Sequence, residues 1–337
     1  MKIIVISDKS SKKLKYISDA VIIAALEKHI SCEPMDISDL KIDSSRYSLP
    51  EYLKGISALL KEEGADAVIC TTNGGVRLMS AIKAQEGSCP PVCCIVSDYS
   101  FAEEHFAFEA DCYFVPHEDI RARLVRYGIS SDKIYVTGIP VKKNFRERIG
   151  KAAARNYLVI PKNRRIYLLM PEGLAPDEIA RLCRELSQCE KEDHAVYIPM
   201  QRSSPDRDAL LKLIGGDAHI RLITYTKQLN LYIESADAIL LRPDSLTSTE
   251  AAITGVPIVH LSLHASDKNE SGDFFANHEM AVIGRNIRDT VLKARRFVEE
   301  KAIAARVIQM QYRNISSDAA DRIIEIILGM KNRIVKV

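Results

Sequence analysis

The chain carries no surplus of charge of either sign: 47 Lys and Arg stand against 45 Asp and Glu in 337 residues, a formal net charge of +2. That balance creates no global field for a polyanion, so nucleic acid is not expected among its partners. No apolar run approaches the roughly 18 residues that cross a bilayer. The opening run, MKIIVIS, is too short for a signal-peptide core and lacks a cleavage-site pattern, so a cytoplasmic location is the expectation. The eight cysteines (32, 70, 89, 93, 94, 112, 183 and 189) form no paired C-x-x-C array with zinc spacing. Cys93 and Cys94 lie in the apolar run PVCCIV, where thiols act as small buried hydrophobes. Of His105, His117, His260, His264 and His278 only His260 and His264 stand four apart, and they fall on and just after the strand-like run at 258–263 rather than on one helix face, so no metal site and no bound cofactor are expected.

What the chain does have is alternation. With 47% apolar residues it can bury ample core, and its length predicts two domains of ordinary size. Strand-like runs at 2–7, 32–37, 67–71, 92–96, 110–115 and 134–137 alternate with helical patterns at 16–29, 49–63, 76–85 and 119–127. Gly138-Ile139-Pro140 ends that series. A basic helical stretch at 142–157 follows, and a second series of strands begins at 166–170 and continues at 195–199, 220–224, 238–241, 258–263 and 281–283. Residues 286–328 read as almost wholly helical. This pattern predicts an α/β fold of two doubly wound parallel sheets facing across a cleft. The expected organisation is a first domain over 1–145, a linker over 146–163, a second domain over 164–315, and a C-terminal helix at 316–337 packing back on the first. Ligands in such sheets bind beyond the carboxyl ends of the strands.

The most informative run is ADAILLRPDSLTSTEAAITGVPIV, residues 236–259. An apolar strand enters a polar turn, and the turn opens a helix holding Glu250 ahead of Gly255-Val256-Pro257 and the next strand. Such a unit offers helix-start N–H groups to an anion. It also holds a carboxylate close enough to take two hydroxyls of a sugar or ribose.

That run, extended to 221–259, joins VTGIPVKKNF (136–145), the SDYS turn (97–100) and NESGDFF (269–275) in a wider likeness. Together they resemble the monogalactosyldiacylglycerol synthase and processive diacylglycerol glucosyltransferase group of glycosyltransferase family twenty-eight. The resemblance covers about 91–283. It implies a GT-B fold of two Rossmann-like domains. It also implies metal-independent, inverting transfer of a hexose from a nucleotide diphosphate sugar, usually UDP-linked, to a lipid or other hydroxyl acceptor, with peripheral contact at the inner face of a membrane.

Residue by residue, the resemblance places Glu250 on the ribose, with Thr247 and Thr249 in the family's threonine positions. Asp244 and Ser245 stand where the family has Gly-Gly, so their amides would meet the diphosphate while the Asp244 carboxylate repels it at close range. Met170-Pro171-Glu172-Gly173-Leu174 replaces a Gly-rich loop, and Ser266-Asp267-Lys268 replaces a Gly-Gln-Glu that meets the sugar. Arg242 or Lys268 would supply positive charge to the diphosphate, and Glu270 joins the donor set. On the acceptor side Lys13 occupies the place of a histidine, Asp36 that of a proposed general base, and Asp98 that of a Thr-Asp turn. A lysine is protonated at neutral pH unless buried, so the base would be Asp36 or Asp98. The substituted glycine turns leave two other readings open, a binding scaffold that has lost catalysis and a nucleotide-sugar epimerase of the same architecture.

Overall fold

The central strands are apolar on both faces, the pattern of parallel sheets covered by helices on each side. The computed structural model describes residues 1–39, 48–87, 89–100, 106, 109–224, 228–264 and 269–334, and the chain divides into two units, Met1–Lys143 with Ser316–Val337, and Asn144–Ile315.

The first unit begins β1 (Lys2–Ser7), α1 (Lys12–Glu27), β2 (Ser31–Asp36), α2 (Leu49–Glu62) and β3 (Ala67–Cys70). It continues α3 (Asn73–Glu86), β4 (Val92–Ile95), β5 (Cys112–Val115), α4 (Glu118–Tyr127) and β6 (Ile134–Val136). The sheet order is β2-β1-β3-β4-β5-β6 with every pair parallel. The order in which strands are added therefore reverses between β1 and β3, which makes the loops after those two strands the unit's natural ligand crevice. Ile4, Ile6, Val68, Met79, Val115 and Leu124 are core residues of one face. The cysteines of the adjacent strands are buried in this sheet, and burial pushes the Cys94 thiol up to about 12, as expected of an inert structural thiol.

The second unit runs α5 (Lys143–Arg146), α6 (Lys151–Tyr157), β7 (Arg165–Leu169), α7 (Pro176–Cys189), β8 (His194–Met200), α8 (Pro205–Ile214) and β9 (Ile220–Thr224). After these come α9 (Leu229–Ser235), β10 (Ala238–Leu241), α10 (Ser245–Thr254), β11 (Ile258–Leu261), α11 (Glu270–Asn277), β12 (Ala281–Gly284), α12 (Ile287–Glu299) and α13 (Lys301–Asn314). Its order, β12-β11-β10-β7-β8-β9, is again fully parallel and is the doubly wound dinucleotide-fold arrangement, with the reversal between β7 and β10. Leu240 pairs with Leu169, so the loops after β10 and β7 leave the sheet side by side.

Two expectations need correction. Residues 146–163, expected as a linker, belong to the second unit. The side chain of buried Arg155 anchors them there, bonding Asp237 at 2.7 Å, the Ser235 carbonyl at 2.9 Å and the Lys162 carbonyl at 2.8 Å. The helical stretch expected at 142–157 is two short helices, because Gly150 at φ +88° breaks it. The segment 316–337 belongs to the first unit, where α14 (Ala319–Ile334) lies on α1 and buries Ile323, Ile324 and Ile327.

Candidate functional site

In the second unit the turn after β10, at the reversal between β7 and β10, carries Arg242, Asp244 and Ser245. Asp244 is the N-cap of α10 in extended backbone, and its carboxylate accepts the N–H groups of Leu246 and Thr247, both at 2.9 Å. Two of the donors that a helix start offers to an anion are thus met by the helix's own side chain. A glycine at this position would leave them open. Thr247 is half-buried near that end. Thr249 is fully buried and its hydroxyl donates to the Ser245 carbonyl at 2.6 Å, so its place is a packing position within the helix rather than the crevice surface. Ser245 is buried beside it, and Glu250, one residue on, is only 5% exposed. The helix ends at Gly255, φ +77°, where a Cβ would lie 1.9 Å from the Tyr312 hydroxyl.

The loop after β7 closes on the same turn. Gly173 has φ +74°, and Arg242 Nη1 donates to its carbonyl at 2.5 Å. The left-handed backbone favours glycine here, and a Cβ on Gly173 would also crowd the guanidinium at 3.1 Å. Arg242 therefore bridges the two loops that flank the strand-order reversal.

At the end of β11, His260 is fully buried, with Nε2 2.9 Å from the Ser248 hydroxyl and its ring edge-on to Phe275. Burial pushes its pKa down to about 3, so the imidazole is neutral at physiological pH. Beyond it, Asn269 caps α11 by accepting from the N–H groups of Ser271 and Gly272 at 2.8 and 3.3 Å, and its Nδ2 donates to the Pro243 carbonyl at 3.1 Å. That last bond ties α11 to the Pro243 turn. Glu270 lies exposed in the first turn of α11, and Lys268 lies outside the described residues.

In the first unit the acceptor-side residues meet at the turn between β1 and α1. Asp36 accepts the Lys9 N–H at 2.6 Å, the Ser38 N–H at 2.7 Å and the Ser38 hydroxyl. Partial burial raises the pKa of Asp36, but the bonds from Ser38 and Lys9 outweigh it and hold the carboxyl below its usual range. Such a carboxylate is a poor base. Asp98 bonds Lys13 Nζ at 3.0 Å and accepts the Ser100 N–H at 3.2 Å, with both members of the ion pair partly exposed. Both aspartates therefore attach to residues 8–13, Asp36 through Lys9 and Asp98 through Lys13.

One feature of this crevice went unseen in the sequence. Thr72 caps α3 by accepting the Gly75 N–H at 2.9 Å, and a Cβ on Gly74 or Gly75 would meet Ile37 at 2.8 Å or Ile6 at 3.0 Å. The signal was available: a glycine pair directly after an apolar strand, TTNGG.

Residues 108–328 match the family model for UDP-N-acetylglucosamine 2-epimerase, and residues 36–141 match that for monogalactosyldiacylglycerol (MGDG) synthase. Among curated proteins the chain is similar to the processive diacylglycerol beta-glucosyltransferase of Bacillus cytotoxicus, 23% identical over 250 residues that cover 73% of this chain and 63% of that one. The enzyme of the same description from Bacillus cereus strain AH187 is 24% identical over 283 residues, covering 82% and 71%. The chain thus spans about two thirds of the length of these relatives. Among solved structures it is similar to a putative UDP-N-acetylglucosamine 2-epimerase from Listeria monocytogenes, with a TM-score of 0.71 and 16% identity over 100% of this chain and 97% of that one. The epimerase from Neisseria meningitidis bound to UDP-GlcNAc gives 0.68 and 17% over 98% and 100%, and Acinetobacter baumannii MurG gives 0.66 and 11% over 97% and 99%. At such identities the structural likeness concerns the fold, two Rossmann-like parallel-sheet domains of GT-B type.

Proposed function

The chain belongs to the UDP-N-acetylglucosamine 2-epimerase family and is a divergent relative of the family twenty-eight glycosyltransferases, and on the strength of the second likeness we propose that it transfers a hexose from a nucleotide diphosphate sugar to a hydroxyl acceptor. The observation that supports the reading is the turn after β10, at the strand-order reversal where this fold binds nucleotides: Arg242 bridges it to the loop after β7, and the helix it opens carries buried Glu250. Glu250 takes the ribose hydroxyls, with Thr247 beside it. Arg242 meets the diphosphate and stabilises the charge that develops as the bond from the anomeric carbon to the diphosphate breaks. Lys268 is assigned to the same charge, and no metal is assigned to the step. Ser245 and Thr249 hold α10 in place, and Glu270, exposed in the first turn of α11, is assigned to the donor set.

The acceptor hydroxyl gives its proton to a general base and attacks the anomeric carbon from the opposite side, which inverts the configuration. We assign that base to Asp98 rather than Asp36, whose oxygens are spent on the turn at Lys9 and Ser38. A lipid acceptor, reached by peripheral contact with the inner face of a membrane, is favoured by the diacylglycerol glucosyltransferases among the relatives. No described helix is long and apolar enough to cross a membrane.

A second reading rests on a different observation, the match of residues 108–328 to the epimerase family. Incubation with a panel of UDP-sugars, with and without diacylglycerol, separates the two. Transfer gives a glycosylated acceptor and UDP, whereas epimerisation gives an altered sugar with no acceptor present. Glu250→Ala is expected to lower turnover by at least about a hundredfold, as loss of a buried substrate contact does. Full activity in that variant would sink the site assignment, and absence of any UDP-sugar affinity by calorimetry would leave a binding scaffold as the better reading.

A further inference from the structure

A groove of about 1300 Å³ lies in the second unit at the amino ends of β7, β10 and β11, the edge of the sheet opposite the turn after β10. One wall is apolar, made by Phe297, Val298, Ile308 and Tyr312 with Val256 and Pro257. The rest is cationic, with eight Lys and Arg side chains against two carboxylates, Glu234 and Asp237.

Both carboxylates are already committed. Glu234 is buried and accepts the N–H groups of Ile149 and Gly150 at 3.3 and 2.6 Å. Asp237 accepts the Ile166 N–H at 2.7 Å and serves two cations at once, Arg155 at 2.7 Å and Lys151. Arg164 and Arg165 pair with Asp193 and Glu190 outside the groove, at 2.9 and 2.6 Å. Arg148 lies over the Tyr312 ring, 4.9 Å from its centroid, and bonds the Thr254 carbonyl at 3.3 Å. Among the described residues no carboxylate stands within ion-pair distance of Arg148, Lys162 or Lys301. Burial lowers the Lys151 pKa despite the opposing pull of Asp237, and the charges of Arg155 and Lys301 push it the same way. The groove therefore holds uncompensated positive charge beside an apolar surface, a pairing that suits an anion attached to an apolar body.

We propose that this groove binds a phosphate-bearing ligand with an apolar body, its phosphate among Arg148, Lys162 and Lys301 and its body on the wall of Phe297, Ile308 and Tyr312. The site stands apart from the donor crevice and independent of the reaction carried there. A soluble phosphate and a lipid headgroup share this chemistry. Calorimetry with hexyl phosphate, with inorganic phosphate for comparison, reports the first, and co-sedimentation with phosphatidylcholine vesicles, with and without phosphatidylglycerol, reports the second.

Both are run on the full chain, on Lys162→Glu/Lys301→Glu, and on Lys191→Glu/Lys212→Glu as a control for net charge, all four lysines being exposed. Binding in either arm that weakens roughly tenfold in the groove variant and clearly less in the control supports the site. The arm that responds identifies the source of the phosphate. Thermal melts of the two variants, expected to match the full chain, separate a lost site from a lost fold. Absence of binding in both arms, an equal loss in the control, or binding that survives the groove variant overturns the proposal.

Discussion

Asp244 shows how one side chain can serve the fold and oppose the ligand. Its carboxylate stabilises α10 through the Leu246 and Thr247 amides, yet it holds a negative charge where a diphosphate would enter. Asp244→Gly is expected to cost only a few tenths of a kcal/mol, because glycine is a tolerated N-cap. The same change removes a like charge and should tighten UDP binding roughly tenfold. Calorimetry decides the matter, and an unchanged or weakened affinity would show that the carboxylate does not compete with the ligand. His260 carries a pH dependence. Its pKa is about 3 in the folded chain against 6.5 for an unperturbed imidazole, so the unfolded state takes up a proton first. The stability associated with the neutral ring is present above pH 6.5 and drains away as pH falls toward 3. Melting temperatures of the full chain and His260→Gln should converge over that window as the full chain loses its advantage, and parallel pH profiles would refute the assignment.

At the scale of the element, the ends of α6 repay attention. Val159 follows its C-cap with φ +55°, while the Ile160 N–H reaches back to the Arg155 carbonyl at 2.8 Å, the closure that normally puts glycine in the left-handed position. A β-branched residue is costly there, and Val159 is 87% exposed, so its side chain returns little burial. Val159→Gly should stabilise the chain by about 1 kcal/mol, read as a higher melting temperature; a fall would mean that the exposed side chain has a partner in solution. The elements themselves were largely legible, because apolar runs of four to six residues alternating with amphipathic helices have few alternatives. What escaped was punctuation, such as Gly150 dividing a helical pattern in two. The site was half legible. Arg242 and the Pro243 turn meet the loop after β7 because strand order puts the ends of β10 and β7 together. The capping of α10 by Asp244 and the commitment of Thr249 to its own helix depend on rotamers that spacing does not specify.

For the whole molecule, the division into units was legible from the restart of the strand pattern near residue 166, but ownership of 146–163 was not, since it rests on the buried Arg155 bonds. The return of α14 to α1 joins elements almost three hundred positions apart, as the Lys28 to Glu325 ion pair at 2.8 Å shows. A chain stopped after Ile315 should keep a folded second unit and a destabilised first one, since the α1 surface that Ile323, Ile324 and Ile327 cover would face water. Limited proteolysis of that chain would locate the damage, and equal resistance of both units would refute it. The same arrangement sets an order of assembly during synthesis. The second unit is one continuous segment and is complete before Ser316–Val337 leaves the ribosome, so the half of the protein made first is the half finished last, and a chaperone that shelters nascent chains would find its exposed surface on α1.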